Sequence, residues 1–415
     1  MISKWNWIYR LLTRRLWFRS TLISLLAVLS ALLAVFLGPY IPYEISASIG
    51  AEAVDNILTI IASSMLAVTT FSLSTMVAAY SAATTNVTPR ATKLLLQDTT
   101  SQNVLATFVG SFLYSLVAII TLSMGAYGEQ GRVILFVVTI FVVLLIVVTL
   151  LRWIDYLTRL GRVGETTEAV EKVTAEALRS RRRQPYLGGV HLADEDAIPA
   201  DAVAVAAPFI GYVQHIDMAS LQEIAEAEGV AIYSLALPGT FVDGRRPLAR
   251  IASSDEKVHA AVVAAYSLAR ERSFDQDPRF GLSVLSEIAQ RALSPATNDP
   301  GTAIDIIGRS VRLLAIWDEA EAREAVRFPN VHVASVKLSE LFDDIYLPIA
   351  RDGAGVAEVQ VRLQKAFAAT AAFADPRFRI EAARHSDMAL RRAEAALTLA
   401  EDLEAVRAAA RGVSA

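Results

Sequence analysis

Four long apolar stretches occupy the first 155 residues, and a more polar region with short alternating runs follows them. The apolar stretches lie at about 21–37, 56–83, 104–124 and 133–151. At about 1.5 Å per helical residue, such lengths suit a hydrocarbon core of roughly 30 Å. The pattern predicts a membrane domain of four transmembrane helices over residues 1–155.

Hydroxyl side chains recur on one face of the second apolar stretch. They alternate at steps of four and seven residues, at Thr59, Ser63, Thr70, Ser74, Ser81 and Thr85. These steps keep the six side chains, which we call the hydroxyl stripe, close to a single helical face. Lipid cannot form hydrogen bonds, so this face turns towards other helices, water or a permeating solute. The stripe is predicted either to line a pore or to pack against helices.

Basic residues are distributed unevenly around the four stretches. Five precede the first stretch, Arg90 and Lys93 lie between the second and third, and many follow the fourth. The alternate loops, at 38–53 and 125–132, contain only Arg132. Because cytoplasmic segments carry the excess of Lys and Arg, we expect a multi-pass protein with both termini cytoplasmic. Arg90 and Lys93 are then predicted to lie at the inner mouth of a pore.

Composition supports a membrane protein and narrows its chemistry. Hydrophobic residues make up 54% of the chain, and its mean hydropathy is +0.41. The chain is therefore more apolar than an ordinary soluble protein. Its net charge of −4 is small for 415 residues and does not indicate a nucleic-acid partner. The absence of cysteine excludes disulfides, thiolate metal sites and thiol nucleophiles. No phosphate-binding loop, paired-histidine motif or nucleophile elbow occurs, so we expect neither an enzyme nor a cofactor.

The polar half is predicted to be a cytoplasmic α+β domain. Its parts are a helical linker at 156–200, a small β-module at 201–252 and a helical domain at 253–415. The hairpin at 238–251 resembles half of the barrel-sandwich module of biotinyl and lipoyl carriers, which predicts a barrel-like or sandwich-like module. A carrier role is excluded because no lysine lies between Lys172 and Lys257. A chance pair of hairpins is the alternative.

A polar loop at 294–300 separates two predicted helices. Asp299 followed by Pro300 indicates a helix start, with a side-chain cap and then proline at the first position. Ser294, Asn298 and Asp299 form a capped turn in one interpretation. In the other they contact a ligand or a neighbouring subunit.

Several segments resemble one known family. These are 71–74 leading to 88–90, then 110–114, 211–217, the hairpin residues 238–242, and 292–300. In this order they resemble the predicted bacterial membrane proteins catalogued as domain of unknown function 2254. The resemblance implies a bacterial inner-membrane protein with a cytoplasmic domain, and it implies no reaction.

The leading hypothesis is a homo-oligomeric channel, or a channel-like transport protein, for ions or small solutes. The second span of each copy would line the path, and the cytoplasmic domain would form a vestibule or sensor. The alternative is a non-transporting membrane scaffold or sensor. It would recruit a cytosolic partner through the terminal helix, predicted from about residue 379, or through the loop at 294–300.

Overall fold

A computed structural model describes residues 16–37, 51–96, 98–319 and 325–413. Two compact units divide the described chain. The membrane unit takes in the described residues up to Thr166, and the sheet-containing unit those from Thr167 onward. The predicted basic segment before Leu16 and most of the predicted outer loop, at 38–50, lie outside the described residues.

The membrane unit is helical. Its helices are α1 (Leu16–Leu37), α2 (Ala51–Asn86), α3 (Pro89–Leu96), α4 (Thr99–Ser123) and α5 (Gly128–Arg159). Within the described residues, three stretches are long and apolar enough to cross a bilayer: Ala53–Thr84, Thr99–Ser123 and Gly131–Arg159. Among the described residues, α1 gives a shorter apolar stretch, Ser20–Leu33, so the predicted first span is not confirmed.

Helix α4 is the centre of the membrane unit, since α1, α2 and α5 all pack against it. Half of its apolar stretch is buried, against 22% for each of the other two candidate spans. Two hydrogen bonds join these helices: the Tyr114 hydroxyl of α4 bonds with Thr139 Oγ1 of α5 at 3.0 Å, and the Tyr127 hydroxyl, at the start of α5, donates to the Ala31 carbonyl of α1 at 2.9 Å. These buried hydroxyls therefore have protein partners, as a low-dielectric interior favours.

The sheet-containing unit mixes short strands with helices. Its strands are β1 (Gly189–His191), β2 (Val203–Val205), β3 (Gly211–Ile216), β4 (Ile232–Ser234), β5 (Phe241–Val242), β6 (Ala249–Ile251), β7 (Tyr266–Ala269) and β8 (Phe328–Val333). Its helices are α6 (Val163–Arg183), α7 (Met218–Glu228), α8 (Glu256–Ala265), α9 (Pro278–Ala292), α10 (Pro300–Asp318), α11 (Leu338–Asp352), α12 (Ala357–Ala371), α13 (Pro376–Ala396) and α14 (Ala400–Arg411).

Two sheets organise the first part of this unit. The larger has the order β1-β8-β4-β6-β2, with β6 antiparallel to both of its neighbours and the pairs β1/β8 and β8/β4 parallel. The smaller is antiparallel, with the order β5-β3-β7. The barrel-like module predicted at 201–252 is not confirmed. Its strands are divided between the two sheets, and each sheet takes strands from outside that segment.

Aspartates begin many of the helices in this unit. The carboxylates of Asp217, Asp255, Asp277, Asp299 and Asp375 each accept a hydrogen bond from a backbone N–H of the first helical turn. Proline follows three of these caps directly. This local chemistry places the starts of α7 to α10 and α13 where the sequence indicates them.

The second part of the unit is a helical layer around an aromatic core. Phe342, Tyr346, Phe367 and Phe378 are fully buried there, and α13 brings His385 against their rings. The terminal helix predicted from about residue 379 is two helices, α13 and α14. Because α13 contributes to this core, its buried face is already occupied by its own chain.

The predicted helical domain at 253–415 is not wholly helical. Its first helix, α8, ends at Ala265 and β7 follows at once. Tyr266 explains the change, because its hydroxyl reaches the Ser234 Oγ at 2.8 Å and its backbone pairs with Ile216 of β3. The segment 253–415, predicted as helical, thus contributes two strands, β7 and β8.

Candidate functional site

Helix α2 has a clear inner face, and the hydroxyl stripe is not on it. The buried side chains of α2 are Val54, Leu58, Ile61, Met65, Ser72, Met76 and Ala83. At about 100° per residue they fall within roughly 60° of the helix circumference. The stripe lies on the nearly opposite side. Within the described part of the chain, α2 therefore packs through one face and presents the stripe on the other.

The stripe residues are exposed on the single chain. This holds for Thr59, Ser63, Thr70, Ser74 and Ser81, while Thr85 lies in the same helix with a side chain outside the described ones. Exposed apolar side chains flank them on both sides: Ile60, Leu66, Phe71, Leu73 and Val77. The stripe is thus a narrow polar line between two apolar borders.

Two of the stripe hydroxyls use their protons within their own helix. Ser63 Oγ donates to the Thr59 carbonyl at 2.9 Å, and Thr70 Oγ1 donates to the Leu66 carbonyl at 3.0 Å. A hydroxyl bonded in this way keeps its oxygen lone pairs available as acceptors. This face can therefore offer oxygen ligands without a formal charge.

The predicted inner-mouth cations stand just beyond the end of α2. That helix ends at Asn86, and α3 begins at Pro89 with the Thr88 hydroxyl accepting from the Ala91 N–H at 3.3 Å. Both Arg90 and Lys93 are exposed on α3. The chain thus breaks between Asn86 and Pro89, where proline begins a new helix. The role of the two cations at a pore mouth stays a prediction.

The loop at 294–300 forms the capped turn that the sequence indicates. Asp299 accepts from the Thr302 N–H at 3.1 Å and from the Thr302 hydroxyl at 2.5 Å. Asn298 has a left-handed backbone with φ of 50°, and the Ser294 hydroxyl donates to the Arg291 carbonyl at 2.7 Å. The polar groups of the loop thus hold the turn itself, and contact with a ligand or neighbouring subunit stays a prediction.

A buried charged cluster is the feature that sequence reasoning missed. Asp277 is 2% exposed and forms a two-pronged ion pair with Arg272, with distances of 2.7 and 3.0 Å. Arg181 is also buried and donates to the Gln276 carbonyl at 2.9 Å. The turn at Gly239 lies directly against the Asp277 carboxylate, leaving no space for a Cβ. The cluster therefore joins α6, α9 and the β4–β5 connection.

Burial shifts the pKa values of this cluster in opposite directions. It raises the pKa of Asp277, and the hydrogen bond and charge of Arg272 oppose that rise. It lowers the pKa of Arg181 to about 10, which the Asp277 charge opposes. In the sequence, the signals that pointed to this cluster were Asp277 followed by Pro278 and the glycine Gly239 in a hairpin.

Among the described residues, no group of three or more histidines or carboxylates could hold a metal ion.

Comparison with known proteins gives a family and no solved structure. Uncharacterized proteins from Mycobacterium bovis and Mycobacterium tuberculosis are each 36% identical over 117 residues, which is 26% of this chain. The match covers 22% of the length of each of these curated relatives. No solved structure matches. A family model described as predicted membrane protein, domain of unknown function 2254, matches residues 13–369. The chain belongs to this family of predicted membrane proteins.

Proposed function

We propose that the protein is a homo-oligomeric channel, or a channel-like transport protein, for ions or small solutes in the bacterial inner membrane. The proposal includes α1 as a fourth span and both termini in the cytoplasm. The hydroxyl stripe of α2 lines the path between copies. The sheet-containing unit forms a cytoplasmic vestibule or sensor.

The observation that carries this proposal is the orientation of α2. The hydroxyl stripe lies on the side away from Leu58, Met65 and Ser72, which pack within the chain. Packing inside one copy therefore does not account for the stripe. In a monomer the same face would meet lipid, which offers no hydrogen-bond donors to oxygen atoms such as those of Ser63 and Thr70. A second copy or a watery path provides a better environment.

The spacing of small residues supports contact between copies. Ser63, Ala67, Thr70, Ser74 and Ser81 follow steps of four, three, four and seven residues, and all five are exposed. Small side chains at such steps allow helix backbones to approach closely. In an oligomer, small residues along the path would let the α2 helices approach closely around it, the apolar borders of the stripe would form the contacts between copies, and the oxygen atoms would face the centre.

Neutral oxygen ligands suit passive conduction. Backbone and side-chain oxygens can replace part of the hydration shell of an ion without binding it too tightly to leave. Glu, Asp, Lys and Arg are absent from residues 56–83. The path proposed here therefore needs no fixed charge at mid-membrane, where a charge is costly.

The test compares two triple variants in proteoliposomes. In the first, Thr70, Ser74 and Ser81 are each replaced by leucine, which removes the polar line. The matched control replaces Ser64, Thr75 and Ala82 by leucine. These positions share α2 but lie roughly 100° away around the helix. Ion and small-solute flux is measured at equal amounts of protein and equal oligomeric state.

The proposal expects flux from the wild type and the control variant, and loss of flux from the stripe variant. Equal flux from both triple variants would contradict a path along the stripe. Absence of flux from a folded, oligomeric wild type, across several ions and both polarities, would contradict the channel. That second result would favour the non-transporting scaffold.

A further inference from the structure

A groove rich in arginine lies on the sheet-containing unit. It has a volume of about 430 Å³, and its walls include Arg245, Arg246, Arg250, Phe241, Leu235 and Glu195. We call it the arginine groove. The volume is within the range of small-molecule sites, roughly 300 to 1,000 Å³. Its residues come from β5, β6, the connection between them, the 3-10 turn Glu195–Ala197 and, for Leu235, the residue directly after β4.

A tight turn fixes the positions of two of the arginines. Asp243 Oδ1 accepts from the backbone N–H of Arg245 at 3.1 Å and from that of Arg246 at 3.4 Å. Between them and Asp243, Gly244 has a φ of 83°, which glycine adopts without strain. The Asp243 carboxylate is thus bonded to the backbone, and both guanidinium groups remain at the groove.

Strand pairing brings in the third arginine. Ala249 and Ile251 of β6 are buried, so alternation directs Arg250 to the opposite face of the sheet. Its Nε is buried and has no hydrogen-bond partner among the described residues. A buried donor without an acceptor costs free energy. A ligand oxygen at this position would supply the missing partner.

The carboxylates that line the groove do not neutralise its three arginines. Within the described residues, none of the three guanidinium groups has a carboxylate partner at ion-pair distance. Exposed arginines elsewhere in the same unit do have one, such as Arg351 with Asp352 at 2.6 Å and Arg377 with Asp375 at 2.6 Å. Three cations and the carboxylates of Asp243 and Glu195 leave the groove with a net positive charge. An anionic ligand would be attracted to it.

We infer that the arginine groove binds a phosphorylated ligand. Guanidinium groups match phosphate oxygens in a two-pronged geometry and recognise them more specifically than an ammonium does. Phe241 is 49% exposed, meets Tyr212 edge to face at 5.1 Å and forms the apolar wall with Leu235. That wall suits the organic part of a nucleotide or a lipid headgroup. The inference does not depend on conduction by the membrane unit.

The test measures binding to the full-length chain in nanodiscs made of zwitterionic lipid. The probes are ATP, inorganic tripolyphosphate and dihexanoyl phosphatidylglycerol below its micelle concentration, each titrated by calorimetry. The double variant Arg245→Gln with Arg246→Gln alters two exposed residues of the groove. The matched control, Arg379→Gln with Arg391→Gln, removes two exposed arginines elsewhere in the same unit. Circular dichroism and the unfolding temperature establish that each variant is folded.

The groove variant is expected to lose at least about tenfold in affinity, since each charged hydrogen bond contributes that order of binding. The control is expected to match the wild type. Such a loss for ATP or tripolyphosphate assigns the site to a free phosphorylated ligand, and a loss for the lipid probe alone assigns it to a headgroup. Absence of binding to the folded wild type, or equal binding by both double variants, would overturn the inference.

Discussion

The indole Nε1 of Trp153 donates a hydrogen bond to the hydroxyl of Ser72, 2.9 Å away. Both side chains are buried, and the bond joins α5 to α2 on the inner face of α2. Ser74 lies only two residues further along the same helix, yet it is exposed on the outer face. The two serines thus separate two roles of hydroxyls in this helix, packing within a copy and contact beyond it.

Trp153→Phe is expected to destabilise the membrane unit by about 1 to 2 kcal/mol, because it removes a buried interhelical hydrogen bond and part of a packed ring. Thermal unfolding of the purified protein in detergent measures this change. Ser74→Ala is the control, and its effect on the monomer is expected to stay below about 0.5 kcal/mol. An equal loss from both variants would contradict the assignment of inner and outer faces.

Gly239→Ala is expected to destabilise the sheet-containing unit far more than Gly244→Ala. Both glycines have a positive φ, 93° and 83°, so both variants carry a backbone cost of about 1 to 2 kcal/mol. At Gly239 the added Cβ would also overlap the Asp277 carboxylate, whereas nothing lies near it at Gly244. We expect an additional loss of at least about 2 kcal/mol. Denaturant unfolding measures the free energy of unfolding of both variants. Equal losses of free energy would contradict the packing of Gly239 against the Asp277 carboxylate.

The stability of the helical layer is expected to fall in mild acid because of His385. Burial lowers the pKa of this residue below its ordinary value of 6.5. The charge of Arg384 acts in the same direction, while Asp343 and Glu381 oppose it. The Nε2 of His385 lies 3.2 Å from Asp343 Oδ1 without hydrogen-bond geometry. The unfolded chain therefore binds the proton more readily, and stability is lost as the pH falls below about 6.5.

The unfolding temperature between pH 8 and pH 5 checks this prediction. His385→Gln is expected to flatten the acid side of the profile, whatever its cost at pH 8. A residual slope is expected from His332, whose pKa burial also lowers. A profile that keeps its full slope in the His385 variant would show that another group titrates.

Local sequence signals predicted many element boundaries well. Helix α7 carries local signals at both ends, since Asp217 caps its start and Gly229, with φ of 66°, ends it. The helix starting at Pro300 was visible for the same reason. Strand β7 was not, because Tyr266 follows an apolar helix directly and becomes a strand only through its pairing with β3. Residues nearby in the sequence determine where a capped helix begins and ends. Residues distant in the sequence determine whether a segment such as β7 becomes a strand.

The candidate sites also combine features that can be read from residue spacing with features that depend on contacts between distant residues. The spacing of the hydroxyl stripe was readable along α2, but the side on which α2 packs depends on contacts such as that from Trp153. Arg245 and Arg246 were visible as a pair in the sequence. Arg250 joins them only because β6 pairs between β4 and β2, with Arg250 opposite Tyr233 and Ala204. A groove built from separate elements leaves little trace in residue spacing.

The most direct test of the conduction path uses the absence of cysteine from the chain. Ser74→Cys is reconstituted in liposomes, flux is established, and a charged methanethiosulfonate reagent is then added. Phe141→Cys, at a 65% exposed position of α5, is the control. We predict that modification lowers flux towards that of protein-free vesicles at position 74 and leaves it unchanged at position 141. Unchanged flux after complete labelling of Cys at position 74 would contradict a path along the hydroxyl stripe.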